Sequence, residues 1–591
     1  MLRRVVAQIL ATGATGHYRD ASNAAGRGEW DAAIASYRLA IASKQTFAEA
    51  HNDLGIALCA IRRPAEARDA FAAALALRPD LLPARINLAH LLREQFFDYA
   101  GAAGHYRVAL AADPALGEAW RGLGLALAEQ GRADEAIASV EQALLFAPHD
   151  REALQYRLFL SNALPERDHA YWFAEHCRWA ALHADRCQRL QPVARPGAGR
   201  VRVGYLSGDF REHATARFLL PLLEHHDSRR FEIICYSNTP EQDGITARMR
   251  KAAARWVQID HLDDDQASRR MRDDALDMLV DLSGHTRGNR LGVVARKPAP
   301  VQVSYLGYLN TTGMQAVDYR LSDAIADPIA VGGDSPAVSG DSPASGDSPA
   351  GGDPVPSGNS LSGSDPLHAE RLVRLPRTMW CWMPPEDAPE QGPLPARTNG
   401  HITFGSFNHP LKLNDQVLKL WARLLSGIPG ARLVFIAMPD EDARVRVQQP
   451  FRQAGVAAHR LRFLPRLARP DYWRTLQSVD IALDPFPYTG GATTLDCLWM
   501  GVPVVALAGR FGFARSSTSV LMNTECADCV TGSPGDYAAV ARALAQDTAA
   551  LAERRAAMRD VIRRSPLMAY KAFVAGLEDT YRRLIAGVPA S

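Results

Sequence analysis

The chain has 591 residues, of which 47% are hydrophobic and 22% are charged, a composition typical of globular proteins. Its formal net charge is only +2, so no global positive field predicts a nucleic acid or an anionic membrane as a partner. Because a single hydrophobic core rarely grows beyond roughly 300 residues, the length predicts several domains. Ligands and partners must therefore be recognised by local sites.

The cysteines are scattered along the chain, which favours reduced thiols in a cytoplasmic protein over a disulfide framework. Cys526 and Cys529 form the one close pair, but no second pair or histidine cluster follows to complete a zinc site. No run approaches the roughly 18–20 apolar residues that a membrane span needs. We therefore expect a cytoplasmic protein with no metal site and no membrane partner.

Residues 1–150 repeat a pattern of about 34 residues, which predicts about four tetratricopeptide units. In such units, small residues let two helices approach closely, and stacked units bury a continuous apolar seam. We predict that the array presents a concave surface that binds an extended peptide or a protein partner, with a scaffold or a dimerisation arm of a homo-oligomer as the alternative. The two clearest units carry matching residues: Leu54, Gly55, Ala67, Ala74 and Pro79 in one, and Leu123, Gly124, Ala136, Ala143 and Pro148 in the other.

Residues 151–199 predict further helix and then a linker, QPVARPGAGR. Strands and helices alternate over residues 200–324 and again over residues 371–591, as expected for two doubly wound lobes with parallel sheets. Ligands of such lobes bind at the carboxyl ends of the strands. The predicted strands are VRVGYLSGDF, FEIICYSN, LDMLVDLSG and VQVSYLGYL in the first lobe, and ITFGSFN, RLVFIAM, LRFLP, DIALDPF and VPVVALAG in the second.

A low-complexity insertion separates the two lobes over residues 325–370. It contains three copies of GDSPA and almost no apolar residue between positions 332 and 366. Such a segment cannot bury enough apolar surface to offset the entropy lost on ordering. We therefore predict that the insertion is disordered.

The sequence DIALDPFPYTGGATTLDCLW predicts a strand, a turn at Gly490 and Gly491, and a helix that opens at Thr493 and Thr494. Glycines allow a ligand to approach the backbone closely, and the free amides at a helix N-terminus attract phosphate. Asp496, one turn into the helix, could accept hydrogen bonds from ribose hydroxyls. The alternative is that the glycines only make a tight turn and the threonines only cap the helix.

Lys412 lies in GSFNHPLKLN, at the junction of a predicted strand and a predicted helix. In a doubly wound lobe, the loops after ITFGSFN and DIALDPF open onto the same edge of the sheet. Lys412 could then stabilise negative charge on a leaving group in the transition state. The alternative, a solvent-exposed lysine, is the better interpretation for Lys419 on the following helix.

The acidic run Asp263, Asp264 and Asp265 could suggest a metal-dependent reaction. These residues precede a predicted helix, however, and negative charge is favourable at a helix N-terminus. We therefore predict that they cap the helix, and that Lys412 and a helix terminus supply the charge that a metal would otherwise provide.

The chain carries five motifs behind the repeats, in an order that resembles the SPINDLY-like branch of the O-linked N-acetylglucosamine transferases: GDFREH, DLSGHT, RKPAPVQVSYLGYLNTTGMQAVDYRLSD, FGSFNHPLKLN and DPFPYTGGATTLDCLWMGVPVV. The resemblance covers nearly the whole chain except the insertion. It implies a tetratricopeptide superhelix followed by a GT-B fold of two Rossmann-like lobes. It also implies an inverting, metal-independent enzyme without a cofactor, which transfers N-acetylglucosamine from UDP-GlcNAc to Ser or Thr hydroxyls of proteins.

The resemblance also implies roles for residues of the second lobe. Lys412 matches the lysine that stabilises the departing diphosphate, and Thr493 and Thr494 match its phosphate contacts. Asp496 matches the ribose acceptor. Tyr472 falls where related enzymes hold the base and could stack on uracil. The remaining residues predicted for the nucleotide-sugar site are Asn408, Arg469, Gly490 and Gly491.

In the first lobe, His213 matches the histidine that faces the acceptor. His285, in DLSGHT, is a second catalytic candidate, with a helix cap or a packed core histidine as the alternative for either residue. The chain departs from the animal transferases at Ala214, Ala492 and Leu309, where they have proline, histidine and proline. These departures leave the donor open, and GDP-fucose, which plant SPINDLY uses, is the first alternative. A non-catalytic tetratricopeptide scaffold is the alternative of a different class.

Overall fold

The computed structural model describes residues 2–165, 168–193, 199–328, 367–510 and 512–587, excepting the side chains of residues 2–12. The predicted disorder of the insertion concerns residues that lie mostly outside this description. The described chain divides into two compact units that alternate along the sequence. The first unit takes its residues from Met1–Arg167, Pro384–Gly509 and Glu525–Arg563, and the second from Asp168–Met383, Arg510–Thr524 and Arg564–Ser591.

The first unit begins with a succession of helices that follows the repeat pattern of the sequence. A Cβ atom added to Gly55 would lie 2.5 Å from the ring of Phe71, and one added to Gly124 would lie 2.8 Å from the carbonyl oxygen of Ala136. These glycines therefore allow the close helix contacts that the repeats predict. The helices are α1 Leu2–Gly26, α2 Trp30–Ser43, α3 Ala48–Ala60, α4 Pro64–Leu77, α5 Leu82–Leu91, α6 Tyr99–Ala112, α7 Gly117–Glu129, α8 Ala133–Phe146 and α9 Arg151–Ser161.

Between the two clearest units lies a third, which closes at Pro114 and is one residue longer, and the structure shows where the extra residue lies. Helix α5 continues into a π-helical turn, Leu92–Phe96, which ends at Phe97 in the left-handed conformation. A π turn closes its hydrogen bond one residue later than an α turn. The π turn therefore accommodates the extra residue before α6 begins. The tetratricopeptide prediction is confirmed.

The second unit contains a parallel sheet that shows seven strands in the described residues, in the order β3-β2-β1-β4-β5-β6-β7. Its central strands are buried on both faces, as is usual for parallel sheets with crossover helices. The strands are β1 Val201–Ser207, β2 Phe231–Ser237, β3 Arg255–Gln258, β4 Met278–Asp281, β5 Val301–Ser304, β6 Tyr319–Asp323 and β7 Arg371–Leu375. The helices of this part are α10 His169–His183, α11 Ala216–His225, α12 Gly244–Ala252, α13 Asp264–Asp273 and α14 Leu291–Ala295.

The acidic run lies at the start of α13, as the sequence predicts, with Asp263 as the N-cap and Asp264 and Asp265 in the first turn. The side chain of Asp263 accepts the backbone N–H of Gln266 at 2.7 Å, and the Gln266 side chain accepts the backbone N–H of Asp263 at 3.2 Å. Asp264 pairs with Arg290 at 2.7 Å. These carboxylates are therefore engaged in local structure.

The second parallel sheet belongs to the first unit and, within the described residues, has the order β10-β9-β8-β11-β12-β13. Its strands are β8 Thr403–Ser406, β9 Arg432–Phe435, β10 Leu461–Phe463, β11 Ile481–Leu483, β12 Val504–Leu507 and β13 Val530–Thr531. The later helices are α15 Ala396–Asn399, α16 Asp415–Ser426, α17 Glu441–Gln453, α18 Arg469–Gln477, α19 Ala492–Trp499, α20 Ser516–Met522, α21 Pro534–Gln546, α22 Thr548–Arg564 and α23 Tyr570–Ile585. Helices α20 and α23 lie in the second unit.

The structure corrects the predicted boundary at residue 371. Strand β7 pairs with β6, with Tyr319 opposite Arg371, and therefore completes the first sheet. Helix α23 also returns to the second unit, where the Tyr581 hydroxyl lies 3.0 Å from that of Tyr205 in β1. The chain thus crosses between units near residue 384, after β7.

The structure also corrects the boundaries at residues 150 and 199. The predicted separate repeat domain belongs to one compact unit with the second sheet, and α9 belongs there too, whereas α10 belongs to the second unit. The reason is that apolar side chains of the last repeat form one cluster with Leu411, which follows β8. The predicted fold class is confirmed: tetratricopeptide helices are followed by two Rossmann-like sheets. None of the helices in the described ranges combines the length and the apolar character needed to cross a membrane.

Candidate functional site

The site lies at the edge where the strand order of the second sheet reverses. Strands β8 and β11 are parallel neighbours, and the chain continues from β8 to β9 on one side and from β11 to β12 on the other. Ligands of open parallel sheets bind at such a switch point, outside the carboxyl ends of the strands. The loop after β8 carries Asn408 and Lys412, and the loop after β11 carries Asp484 and the Gly490 turn.

Lys412 joins these two loops. Its Nζ donates hydrogen bonds to the Thr489 carbonyl oxygen at 2.7 Å and to Asn408 Oδ1 at 3.3 Å. The same nitrogen lies 4.1 Å from the centroid of the Tyr488 ring, in cation–π contact. Lys419, by contrast, is exposed and lies 3.6 Å from Asp415. The Lys412 ammonium is therefore directed at the turn before α19, whereas Lys419 is a surface lysine.

Burial changes the pKa values of Lys412 and Tyr488. Desolvation lowers the pKa of Lys412 to about 8, although the nearby Asp484 carboxylate favours the charged form and opposes part of that shift. Burial also raises the pKa of Tyr488 to about 12, so its ring is a neutral neighbour of the ammonium at neutral pH. Lys412 is consequently a cation at neutral pH, but one held partly out of water, where its field is stronger than at the surface.

Asp484 organises the turn that Lys412 contacts. Its carboxylate accepts the Gly490 N–H at 3.0 and 3.1 Å, and it also accepts Asn408 Nδ2–H at 3.1 Å. The other side of the Asn408 amide, Oδ1, accepts the Thr493 hydroxyl at 3.2 Å in addition to Lys412. Asn408 is therefore the bridge between the two loops, since its side chain bonds to Lys412 in its own loop and to Asp484 and Thr493 across from it.

The glycine turn is tight for a steric reason. A Cβ atom on Gly490 would lie 2.6 Å from Thr494 Oγ1, 2.7 Å from Asp484 Oδ1 and 2.8 Å from Thr493 Oγ1. Only glycine therefore allows these three oxygens to surround the backbone at this point. The alternative of a turn without a ligand explains the glycine but leaves the start of the helix unexplained.

The start of α19 has open hydrogen-bonding groups. Gly491 is the N-cap, and no side chain in the described chain caps this helix. The Thr494 side-chain oxygen is buried and has no hydrogen-bond partner among the described residues. Because the first amides of a helix have no intrahelical partner, the turn offers several donors to one anion. The alternative, in which the threonines only cap the helix, is therefore not what the structure shows.

Tyr472 and Asp496 contact each other. The Tyr472 hydroxyl donates to Asp496 Oδ2 at 3.0 Å, and its ring packs edge-on against Phe407 with centroids 6.0 Å apart. Both residues therefore belong to the edge that carries Lys412. Arg469, in contrast, forms an ion pair with Asp387.

His213 and His285 belong to the second unit, in the loops after β1 and β4. The His213 side chain is 40% exposed, and its Nδ1 accepts the Thr215 N–H at 3.3 Å and lies 3.6 Å from Asp209 Oδ2. His285 is buried, donates from Nε2 to the Thr312 carbonyl oxygen at 2.9 Å, and packs edge-on against the Trp179 ring. The packed-core alternative thus describes the environment of His285, and His213 is the more accessible of the two.

Sequence reasoning missed Asp484, Tyr488 and Asp387. Asp484 had a detectable signal, because it is the polar residue that directly follows the buried strand IAL at a predicted switch edge. Tyr488 had none, because its contact with Lys412 depends on how the turn folds back. Asp387 lies far from Arg469 in sequence and could be found only from the structure.

Comparisons with known proteins agree with this architecture. The family described as "Glycosyl transferase family 41" matches residues 168–335 and 390–577, and a family described as "Tetratricopeptide repeat" matches residues 95–156. The chain is 33% identical over 450 residues to the Arabidopsis thaliana protein named "Probable UDP-N-acetylglucosamine-peptide N-acetylglucosaminyltransferase SPINDLY", a match covering 74% of this chain and 45% of that protein.

More distant and structural relatives point the same way. A Caenorhabditis elegans protein named "UDP-N-acetylglucosamine-peptide N-acetylglucosaminyltransferase" is 22% identical over 69% of this chain and 42% of its own length. The chain spans about half the length of the curated relatives it matches. The solved structure of a Thermobaculum terrenum O-GlcNAc transferase mutant is 32% identical, with a TM-score of 0.81 over 91% of this chain and 97% of that one. The resemblance read from the motifs is confirmed, and this chain belongs to glycosyl transferase family 41.

Proposed function

We propose that this chain is a protein O-glycosyltransferase that moves a sugar from a nucleotide donor to Ser or Thr hydroxyls of protein acceptors. The observation that carries the proposal is the convergence of the Lys412 ammonium and the uncapped start of α19 on one glycine turn. A nucleoside diphosphate fits such a site, because a fixed cation and free backbone amides both favour its negative charge. Membership of glycosyl transferase family 41 supports the same reaction class.

The proposed reaction is inverting and independent of a metal. The acceptor oxygen attacks the anomeric carbon as the bond from that carbon to the diphosphate oxygen breaks, and the hydroxyl proton passes to a base. Lys412 would stabilise the charge that grows on the departing diphosphate, which is the charge a metal ion supplies in other transferases. Its bonds to Thr489 and Asn408 already hold the ammonium in place, so little reorganisation is needed as the charge develops.

On the acceptor side, we propose His213 as the residue that faces the incoming hydroxyl. Its ring is partly exposed, and its Nδ1 lies 3.6 Å from the Asp209 carboxylate. For His285 the burial and the bond to Thr312 support a packing role. Protein or peptide acceptors are the proposed partners of the repeats, in a cytoplasmic enzyme that could form a homo-oligomer.

UDP-GlcNAc is the proposed donor, because the named relatives are UDP-N-acetylglucosamine transferases. Tyr472 would stack on the base, and Asp496 would accept ribose hydroxyls. GDP-fucose stays the alternative donor on account of Ala214 and Ala492, which depart from the animal pattern next to His213 and Thr493.

A panel of labelled nucleotide sugars, incubated with the enzyme and with protein acceptors, tests the proposal. We expect label on protein from UDP-GlcNAc, and its loss in Lys412→Ala. Label from GDP-fucose alone would change the donor but keep the reaction. No label from any donor, together with no change in melting temperature at millimolar UDP or GDP, would favour the non-catalytic scaffold.

A further inference from the structure

The turn that carries Lys412 is held from outside the sheet as well as from within it. Residues Pro410–Lys412 form a single 3-10 turn directly after β8. The His409 ring caps this turn, because its Nδ1 accepts the Leu411 N–H at 3.2 Å. Since Nδ1 accepts, the ring proton lies on Nε2, and this nitrogen donates to Glu129 Oε2 at 2.9 Å. Glu129 is the last residue of α7, in the final repeat.

Glu129 is well suited to this role. The Glu129 side chain is 42% exposed; its partial burial would raise the pKa of the carboxyl, but hydrogen bonds from His409 and Tyr99 hold that pKa below its ordinary value. An ionised carboxylate therefore accepts the His409 Nε2–H at neutral pH. The charge of Glu129 fixes the tautomer of His409, and the tautomer fixes the cap of the Lys412 turn.

A second contact lies beside the first. Gln130 is buried and donates from Nε2 to Asp440 Oδ2 at 2.6 Å, and Asp440 is the N-cap of α17. From α17, the Arg446 guanidinium donates to the Leu413 carbonyl oxygen at 3.0 Å. The last repeat is therefore also connected to Leu413, the residue that follows Lys412, through hydrogen bonds made by α17.

A third contact is steric. Gly131, between α7 and α8, has φ +76°, and a Cβ atom there would lie 2.6 Å from the Pro410 carbonyl oxygen and 2.5 Å from Arg446 Nη2. The backbone of the repeat thus lies directly against the 3-10 turn. On the opposite loop, the Phe159 ring of α9 packs edge-on against Tyr488 at 6.4 Å, and Tyr488 is the ring over which Lys412 lies.

We propose that the last tetratricopeptide unit is a structural part of the donor site, in which Glu129, Gln130 and Gly131 are positioning residues for Lys412. None of the three is proposed to touch the donor. They hold the turn so that the Lys412 ammonium faces the Gly490 turn and stays partly shielded from water. The catalytic consequence rests on the proposed function, whereas the positioning itself does not.

The repeat array supplies a matched control. Gly28 occupies the same place between α1 and α2 that Gly131 occupies between α7 and α8, and its φ is +75°. A Cβ atom on Gly28, however, meets no atom of the described chain within 4 Å. Alanine at either position therefore carries the same left-handed strain, and only Gly131→Ala presses on the Lys412 turn.

The test measures Lys412 directly in the full-length, ligand-free chain. The chain contains six lysines, so the acetylation of each can be followed by peptide mass spectrometry across pH, with Lys419 as the internal reference. In Gly131→Ala and Glu129→Ala we expect the Lys412 titration midpoint to rise by about one pH unit, because a loosened turn admits water to the ammonium. We expect Gly28→Ala and Glu49→Ala, the latter a repeat carboxylate paired with Arg78 at 2.8 Å, to match the wild type.

Donor hydrolysis by the same variants separates the positioning proposal from the proposed function. We expect kcat/KM to fall about tenfold in Gly131→Ala and Glu129→Ala, mainly through kcat, and Glu129→Gln to recover part of the loss. If Gly131→Ala does not fold, Glu129→Ala carries the test alone. Folded variants whose Lys412 midpoint equals that of the controls would overturn the positioning proposal. A shifted midpoint in a chain that transfers no sugar would keep it and would overturn the proposed function instead.

Discussion

The edge between β1 and β4 and the edge between β8 and β11 are the same place in two sheets whose first six strands share one order. In both, a carboxylate at the end of a central strand accepts N–H groups from the next turn of the chain. Asp281 takes the N–H of Gly284 at 2.8 Å, and Asp484 takes that of Gly490 at 3.0 Å. At both edges, therefore, a carboxylate at the strand end holds the following turn by hydrogen bonds to its backbone.

The two edges differ in the residues that come after the turn. After Asp281 the chain places His285 among aromatic rings, and burial raises the pKa of Asp281 to about 6 although backbone hydrogen bonds oppose that rise. After Asp484 the turn meets a lysine, an asparagine that joins two loops, and a helix start whose Thr494 side-chain oxygen has no partner in the described ranges of the chain. The topology provides two equivalent edges, and among the described residues the lysine, the asparagine and the helix start of the proposed anion site lie at the second, so function is to be sought in the site and not in the fold.

The largest expected effect comes from removing the cation. In Lys412→Ala, kcat for sugar transfer should fall on the order of a hundredfold or more, the usual result of deleting one group that stabilises transition-state charge. Lys419→Ala, seven residues along and exposed, is the control and should keep wild-type turnover. Folding is checked by thermal unfolding, and wild-type turnover in a folded Lys412→Ala would remove the lysine from the mechanism.

The next effect tests the shape of the turn. Gly490→Ala places a methyl group among the Thr493, Thr494 and Asp484 oxygens and forces them apart. Overpacking of this kind costs about 1–3 kcal/mol, and the same loss in binding the nucleoside diphosphate would lower affinity roughly 5- to 150-fold. Gly535→Ala, in the first turn of α21, is the control because its nearest neighbour would be Ser533 Oγ at 3.6 Å. Equal affinities of both variants, measured by calorimetry, would mean that the turn does not hold phosphate.

The pH dependence should report the lysine of the free enzyme. Lys412 must be charged to act, and its pKa is about 8, so kcat/KM should fall about tenfold per unit above that pH. A bound diphosphate favours the charged form, so kcat should hold to higher pH than kcat/KM. Parallel unfolding curves at each pH serve as the control, and a flat kcat/KM up to about pH 10 in folded enzyme would contradict the assignment.

The smallest catalytic effect is expected for His285, at the edge between β1 and β4. His285→Ala leaves a cavity beside Trp179 and removes the bond to Thr312, so its free energy of unfolding should drop by about 2–4 kcal/mol in denaturant titrations. At a temperature where the variant is folded, its kcat should fall much less than that of Lys412→Ala. A folded His285→Ala whose kcat falls as much as that of Lys412→Ala would mean that His285 takes part in the reaction.

Much of this comparison could be predicted from sequence, because strand-turn-helix patterns are local. The GGATT turn and the lysine after ITFGSF were found in this way, and so were the repeats and the cap at Asp263. The bridging role of Asn408 could not be found so, since it depends on a contact between two loops separated by more than seventy residues. Strand β7 was missed because RLVRL is short and alternates with charge. The contact of Glu129 with His409 was missed because a repeat period says nothing about what the last repeat touches.

The central claim is that Lys412 contacts the diphosphate of the donor, and protection from acetylation tests it most directly. With the nucleoside diphosphate at about ten times its Kd, acetylation of Lys412 should slow about tenfold, while Lys419 reacts at its rate without nucleotide. Unchanged acetylation of Lys412, under conditions where calorimetry shows the nucleotide bound, would place the diphosphate elsewhere and contradict the account.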